Sequence, residues 1–331
     1  MTYITGSIIC LTVWRLSMGS QNGLNEKGHD LCNNQVESEG KQNVDKLSIW
    51  ANRLPVMKEQ DALIVNNMKE LVRQQETNPL LSDDDIIDHF HSIMAFPLQT
   101  ACHVGKWFSL RNWLACGSTD GERYVCMDNF YRDIHDEKCI VYSFGISEDY
   151  NIEQKLGSIG CIVHAYDPTV DLPTSLAKNV NFNNVGLGHF TGNKKIAVIQ
   201  NNHTVSKSFP VMTLKDIIKK NGDLGKEITY VKVDVESSEI KAIPEWIQSG
   251  ILQNVRQIGI ELHTGKMHFH KSKRARVAKI LLKAISQLYD MGFRHISYDP
   301  NTCVGKRQDH GGVHYTFVDI VLYKPYNMTR K

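Results

Sequence analysis

The chain has 331 residues, 41% of them apolar and 22% charged, which suits one large folded domain with extensions. A formal charge of +2 excludes a strong electrostatic pull toward nucleic acid or an acidic membrane, because such binding needs clustered excess charge. No nucleic-acid partner is expected.

The N-terminus carries an apolar run from Tyr3 to Trp14, shorter than the roughly 17 to 25 residues that span a bilayer. Ser17 and Gly19 put small residues where a leader is cut, so residues 1–19 read as a signal peptide or short signal anchor, despite the interruption at Arg15. No stable membrane span is expected, and the chain is expected in the secretory pathway or outside the cell, with the cytoplasm as the alternative. Asn202-His203-Thr204 and Asn327-Met328-Thr329 are N-glycosylation acceptor sequences that fit this reading.

Residues 20–54 are rich in Asn, Gly, Glu, Lys and Gln and read as a disordered linker. A lead-in over residues 55–138 follows. Leu63, Met68, Leu71 and Val72 recur at helical spacing, and Ser82 with Asp83, Asp84 and Asp85 opens a second helix that shows Ile86, Phe90, Ile93 and Met94 on one face and stops before Pro97. Eight cysteines are present, and removal of a leader with Cys10 leaves an odd number. Cys116 and Cys126 flank a turn at Ser118 to Gly121 that could close a bridged loop, whereas Cys139 and Cys161 open apolar strands and read as buried free thiols.

From Cys139 onward, residues 139–331, short apolar runs alternate with helical stretches, as in the parallel βαβ units of a doubly wound α/β sheet. Strands are expected at Cys139–Ser143, Cys161–Tyr166, Val180–Val185, Tyr230–Val235, Val255–Leu262, His295–Tyr298 and Tyr315–Tyr323. Helices are expected from Thr213 to Gly222, from Ser237 or Ser238 to Gly250 with a shortening or kink at Pro244, and, as the longest, from Ser272 to Met291.

Open parallel sheets bind ligands beyond the carboxyl ends of their strands, near the reversal of strand order. The first strand ends at Gly145, which lets backbone pass close to a ligand, and the second ends at Asp167, 22 residues later. At that distance a nucleotide-binding half places a carboxylate to accept bonds from both ribose hydroxyls. The first loop lacks G-x-G-x-x-G, which argues for an adenosyl ligand without phosphates. Further along, Asp234, Glu236 and Glu239 surround one strand end, and Glu261 with His263 close the next.

Taken in order, Val141-Tyr142-Ser143-Phe144-Gly145-Ile146-Ser147, His164-Ala165-Tyr166-Asp167-Pro168, Lys232-Val233-Asp234-Val235-Glu236 with Glu239, and Ile260-Glu261-Leu262-His263 resemble the FkbM-type methyltransferase domain. The likeness runs from about Cys116 to Pro325, and departs from the family where Ser237 replaces a usual glycine. It implies a Rossmann-like class I methyltransferase sheet of seven strands, the last antiparallel, behind the helical, cysteine-bearing extension. It also implies S-adenosylmethionine as cofactor, held by Ser143, Phe144, Gly145, Asp167, Gly186, Leu187 and Glu236, with Asp234 and His263 as catalytic residues near the acceptor.

Methyl transfer to a hydroxyl needs alignment, a dry site and a base, for which Asp234 and His263 are the candidates. The acceptor, whether small molecule, glycan or protein, is not legible. Two other functions compete. A secretory glycosyltransferase would use Asp234-Val235-Glu236 as a D-x-E metal site but leaves Asp167 without a duty, and a non-catalytic secreted module would keep the fold alone. No metal site is expected otherwise, since the spacing of His263, His268 and His270 matches no zinc pattern. Lys271, Lys273, Arg274, Arg276, Lys279 and Lys283 read as a solvated helix face.

Overall fold

The computed structural model describes residues 46–95, 102, 104–108, 123–200, 203–264, 270–300, 306–309, 312–315 and 317–324. The expected leader, both glycosylation asparagines, Cys116, Pro97 and His268 lie outside them. The chain divides into a unit Met1–Glu59, described from Lys46 on as helix, and a unit Gln60–Lys331 that holds the sheets.

Helix α1 spans Lys46–Thr77 and is the longest described, exceeding the helix that begins near Ser272, and its first turns fall in the stretch read as linker. Of its expected apolar stripe, Met68 is buried but Leu63 is exposed. Helix α2, Asp83–Met94, opens on the expected capping box, in which Ser82 Oγ accepts from Asp85 N–H and the Asp85 carboxylate accepts from Ser82 N–H. Ile86, Phe90 and Met94 turn into the core.

Strands β1 (Gly105–Phe108) and β2 (Arg123–Cys126) form an antiparallel hairpin, and helix α3 (Asp128–His135) follows. The βαβ region then gives β3 (Ile140–Phe144), α4 (Asn151–Ser158), β4 (Ile162–Tyr166), β5 (Ser175–Ala177), β6 (Val180–Asn183), β7 (Gly186–Leu187), β8 (Gly192–Gln200) and β9 (His203–Met212). Helix α5 (Leu214–Lys220), β10 (Tyr230–Val233), α6 (Glu239–Ser249), β11 (Gln257–His263), α7 (Lys271–Asp290) and β12 (Arg294–Pro300) follow, with β13 (Lys306–Asp309), β14 (Gly312–Tyr315) and β15 (Phe317–Tyr323) at the end. Helix α6 runs through Pro244 and stops at Gly250, whose φ of 71° is the left-handed cap glycine tolerates.

The main sheet has the order β12-β15-β11-β10-β3-β4-β6-β5. β3, β4, β6, β10 and β11 run parallel, and β15 lies antiparallel between β11 and β12. These are the seven expected strands with the last reversed, and the short β5 adds an eighth antiparallel edge. Strand order reverses between β3 and β10, which fixes the ligand-binding crevice at their carboxyl ends.

The β pleat sends alternate side chains into two cores. Tyr142, Phe144, Tyr166, Val231 and Val233 pack with residues of α2, α5, α6 and α7, while Val141, Val163, Ala165 and Phe182 pack with Phe130, Ile152 and Leu156 of α3 and α4. On α7, Arg274 is buried rather than solvated, and Lys271 and Lys283 reach Asp84 and Glu76 at 2.7 Å each.

The cysteine pairing differs from the expectation. Cys139 and Cys161 form a disulfide, because they sit one residue ahead of neighbouring parallel strands whose register pairs Ile140 with Ile162. Cys126 bonds Cys102 rather than closing the loop from Cys116. A third sheet, β7-β9-β8, is built mainly from the long hairpin β8–β9, for which the sequence pattern predicts no strands. The signal it offers is the polar pair Asn201-Asn202 between an apolar run at 196–199 and the β-branched Thr204-Val205.

Candidate active site

At the switch point the loop after β3 passes so close to β10 that a Cβ on Gly145 would lie 1.6 Å from the Asp234 carbonyl oxygen, and the Gly145 φ is 73°. Glycine is therefore required here by the chain's own backbone, not only by a ligand. Gly145 N–H donates to Tyr166 O at 2.8 Å and Asp234 N–H to Phe144 O at 3.1 Å, so three strand ends are tied together. Ser143 and Phe144 turn their side chains into the fold. Ser143 Oγ donates to the buried Glu153 Oε1 at 2.5 Å, and Phe144 stacks on Tyr166 with centroids 5.1 Å apart.

Asp167 stands where the sequence puts it, at the end of β4 and largely buried. Its Oδ2 accepts from Ser147 N–H at 3.0 Å, and its Oδ1 from Thr169 N–H at 2.8 Å and Thr169 Oγ1 at 2.6 Å. A carboxylate offers about four acceptor positions, so one remains, on Oδ2. That suits a single ribose hydroxyl rather than the two expected. Gly186 sits beside this turn, its hypothetical Cβ 3.0 Å from Pro168 Cγ, and Leu187 next to it is buried in the core.

Across the switch point lies an ionic cluster the sequence reading saw only in part. Register sets Glu261 of β11 opposite Asp319 of β15, and Asp234 ends the neighbouring β10. Arg123, from the lead-in hairpin and with only 1% of its side chain exposed, reaches Asp319 at 2.8 Å, Asp234 at 3.2 Å and Glu261 at 3.5 Å. Burial disfavours its charge, but the three acids hold the guanidinium above its ordinary pKa. Burial likewise works against the Asp234 carboxylate, yet Arg123 and Lys232 outweigh it and keep that carboxyl below the usual range. Glu261 goes the other way. Burial, with Asp234 and Asp319 close by, pushes it up to about 9, so it is a neutral acid beside an ionised Asp234.

His263 ends β11 and is buried. Glu239, in the first turn of α6 and wholly buried, accepts from the His263 backbone N–H at 2.9 Å and lies 3.0 Å from Nδ1. Burial opposes an imidazolium here, but the Glu239 hydrogen bond and its charge lift His263 to about 9. At neutral pH it holds a proton and donates, which makes it a poor base in this state. On its other side Nε2 is 3.9 Å from Glu236 Oε2. Glu236 and Ser237 take positive φ values of 52° and 77°, a left-handed pair at the position where the resembling family has glycine. From β8, Lys194 Nζ donates to Ser238 Oγ at 2.6 Å, bringing the unforeseen hairpin to the same helix start.

The structure thus brings Gly145, Asp167, Asp234, Glu236 and His263 to the carboxyl ends of adjacent strands and adds Arg123, Glu239 and Asp319. A shallow cavity of about 230 Å³ lined by Lys215, Ile218, Asp223 and Gln253 is at the opposite ends of the strands and takes no part. His270 caps α7 and makes no cluster with His263 among the described residues.

Comparison with known proteins agrees with this architecture. Residues 111–301 match the family model described as a methyltransferase domain. The chain is also similar to the human "Probable methyltransferase-like protein 24", at 25% identity over 176 residues, which are 51% of this chain and 46% of that protein. The match therefore spans about half the length of that curated relative.

Proposed function

The chain belongs to the methyltransferase domain family, and from that premise we propose that it moves the methyl group of S-adenosylmethionine to an acceptor hydroxyl, as an FkbM-type member of that family. The observation that carries the reading is Asp167, a buried carboxylate at the end of β4 beside the switch point, with one acceptor position open to a ribose hydroxyl. The donor set fits the adenosyl group. Asp167 would hold the ribose, the Gly145 turn would pass along it, Gly186 and Leu187 would border the adenine, and Glu236 would face the cationic methionine end.

When bound, S-adenosylmethionine supplies an already activated methyl group. The chain's part is to align the acceptor oxygen, exclude water and take up the proton. Asp234, ionised and anchored by Arg123, is the group that accepts the hydroxyl proton, while protonated His263 holds the acceptor by donating to it. The acceptor class we propose is a small molecule, a glycan or a protein side chain bearing a hydroxyl. The two disulfides among the described residues suit an oxidising compartment, and on that ground we propose the secretory pathway as the protein's location.

The test is a thermal shift of the full chain with S-adenosylmethionine, with its demethylated product, and with nucleotide sugars plus manganese. Stabilisation by the two adenosyl ligands, reduced at least tenfold in apparent affinity by Asp167→Ala, is expected. A response to nucleotide sugar with metal alone overturns the reading.

A further inference from the structure

We propose that Asp234, Glu236 and His263 form a binding site for one divalent cation, with Glu239 as the carboxylate that orients the histidine. One ligand atom from each of the three lies within 4.8 Å of the others. Two ligands bound at about 2.2 Å from one ion sit at most about 4.4 Å apart, so closure by a few tenths of an ångström completes the set. The movement falls to Glu236, whose side chain is 75% exposed and free to swing.

The histidine points to a ligand independently of the acids. Its ring is buried, and Nδ1 is 3.0 Å from a fully buried carboxylate that also accepts from the His263 backbone, which fixes the ring's orientation and directs Nε2 to the carboxylate side. That Nε2 is 3.9 Å from Glu236, beyond hydrogen-bond range and close enough for one ion to join them. A carboxylate behind a histidine whose other nitrogen faces further carboxylates is the usual support of a metal-ligating imidazole. Glu239 Oε2 has no hydrogen-bond partner among the described residues, so His263 compensates this buried carboxylate through only one of its oxygens.

One imidazole nitrogen with two carboxylate oxygens suits a first-row ion such as Mn²⁺ or Zn²⁺ better than Mg²⁺, which favours an all-oxygen shell. Two of the three ligands come from the Asp234-Val235-Glu236 strand end and the third from the next strand, unlike the His263, His268 and His270 spacing that suggested no metal. With an ion bound, Nε2 would give up its proton and the ion would take over from protonated His263 in holding the acceptor oxygen and making it more acidic, a part in turnover that rests on the methyltransferase reading. Binding itself does not.

The experiment titrates Mn²⁺ into chelator-stripped full chain without any adenosyl ligand and follows the electron paramagnetic resonance signal of free Mn²⁺. One ion per chain is expected, with E236Q weakening binding at least fivefold and D234N and H263A at least tenfold. Because Glu236 is exposed, E236Q should melt at the wild-type temperature in the absence of metal, which keeps the result readable if the buried variants misfold. Asp167→Asn should bind Mn²⁺ as wild type does while losing the adenosyl ligands. No saturable uptake by the folded chain, or uptake indifferent to E236Q, overturns the inference. Adenosyl binding in chelator without Mn²⁺ uptake removes the metal site and leaves the methyltransferase reading standing, and Mn²⁺ uptake without adenosyl binding does the reverse.

Discussion

Arg123 is the residue on which the site's electrostatics turn, and nothing around it in sequence announces it. Asp234 and Glu261 were legible because each closes a strand of apolar neighbours, where a charge is unexpected unless it faces a crevice. Arg123 and Asp319 were not, since one arrives from a separate hairpin and the other through antiparallel register. Removing a cation buried among acids leaves them uncompensated, at a cost of about 3 to 5 kcal/mol. Arg123→Met should therefore lower the unfolding free energy by that order in urea denaturation, and Arg123→Lys should recover part of it. Equal stability of Arg123→Met and wild type would show that the acids are neutralised some other way. A contact of the same kind, made by Glu239, separates His263 from the base that its sequence position suggests. Its strand-end position was visible, but the Glu239 contact that keeps it protonated depends on where α6 packs.

Elements were more legible than contacts. Strand cores matched because runs such as Tyr230 to Val233 are mostly apolar and buried on both faces, as a covered parallel strand must be, and α2 and α5 start where Ser82 and Thr213 cap them. Pairing between elements needs topology, so the neighbouring placement of β3 and β4 decided the fate of Cys139 and Cys161 where composition alone favoured free thiols. The bridge closes a loop with a sequence separation of 22, for which chain entropy gives about 3 kcal/mol. Cys139→Ser with Cys161→Ser should lose stability of that order, measured by urea denaturation without reductant. A double variant as stable as wild type would mean that the bridge does not form. The β8–β9 hairpin escaped the reading because its strands alternate weakly and are mostly exposed.

For the molecule as a whole, the described residues include no helix long and apolar enough to cross a membrane. One pH-dependent contribution to the stability of the fold should come from His295, which is fully buried in β12. Burial drives its pKa down from 6.5 to about 4, against the opposing hydrogen bond to Ser297 O. Below pH 6.5 the unfolded chain takes a proton that the folded one refuses until about pH 4, so the stability that His295 contributes falls as pH drops through that window. At pH 5 that one contribution is about 2 kcal/mol smaller than at pH 7. His295→Asn should be less stable at pH 7 yet lose less on acidification, a comparison that melting curves at the two pH values decide. The cation that joins the three strand-end acids comes from β2, ahead of the sheet in the chain. The four positions should be inherited as a set. A lineage that sheds the hairpin must neutralise acids at positions 234, 261 or 319 in the same evolutionary step, so in relatives that keep this arrangement those residues should change together with position 123.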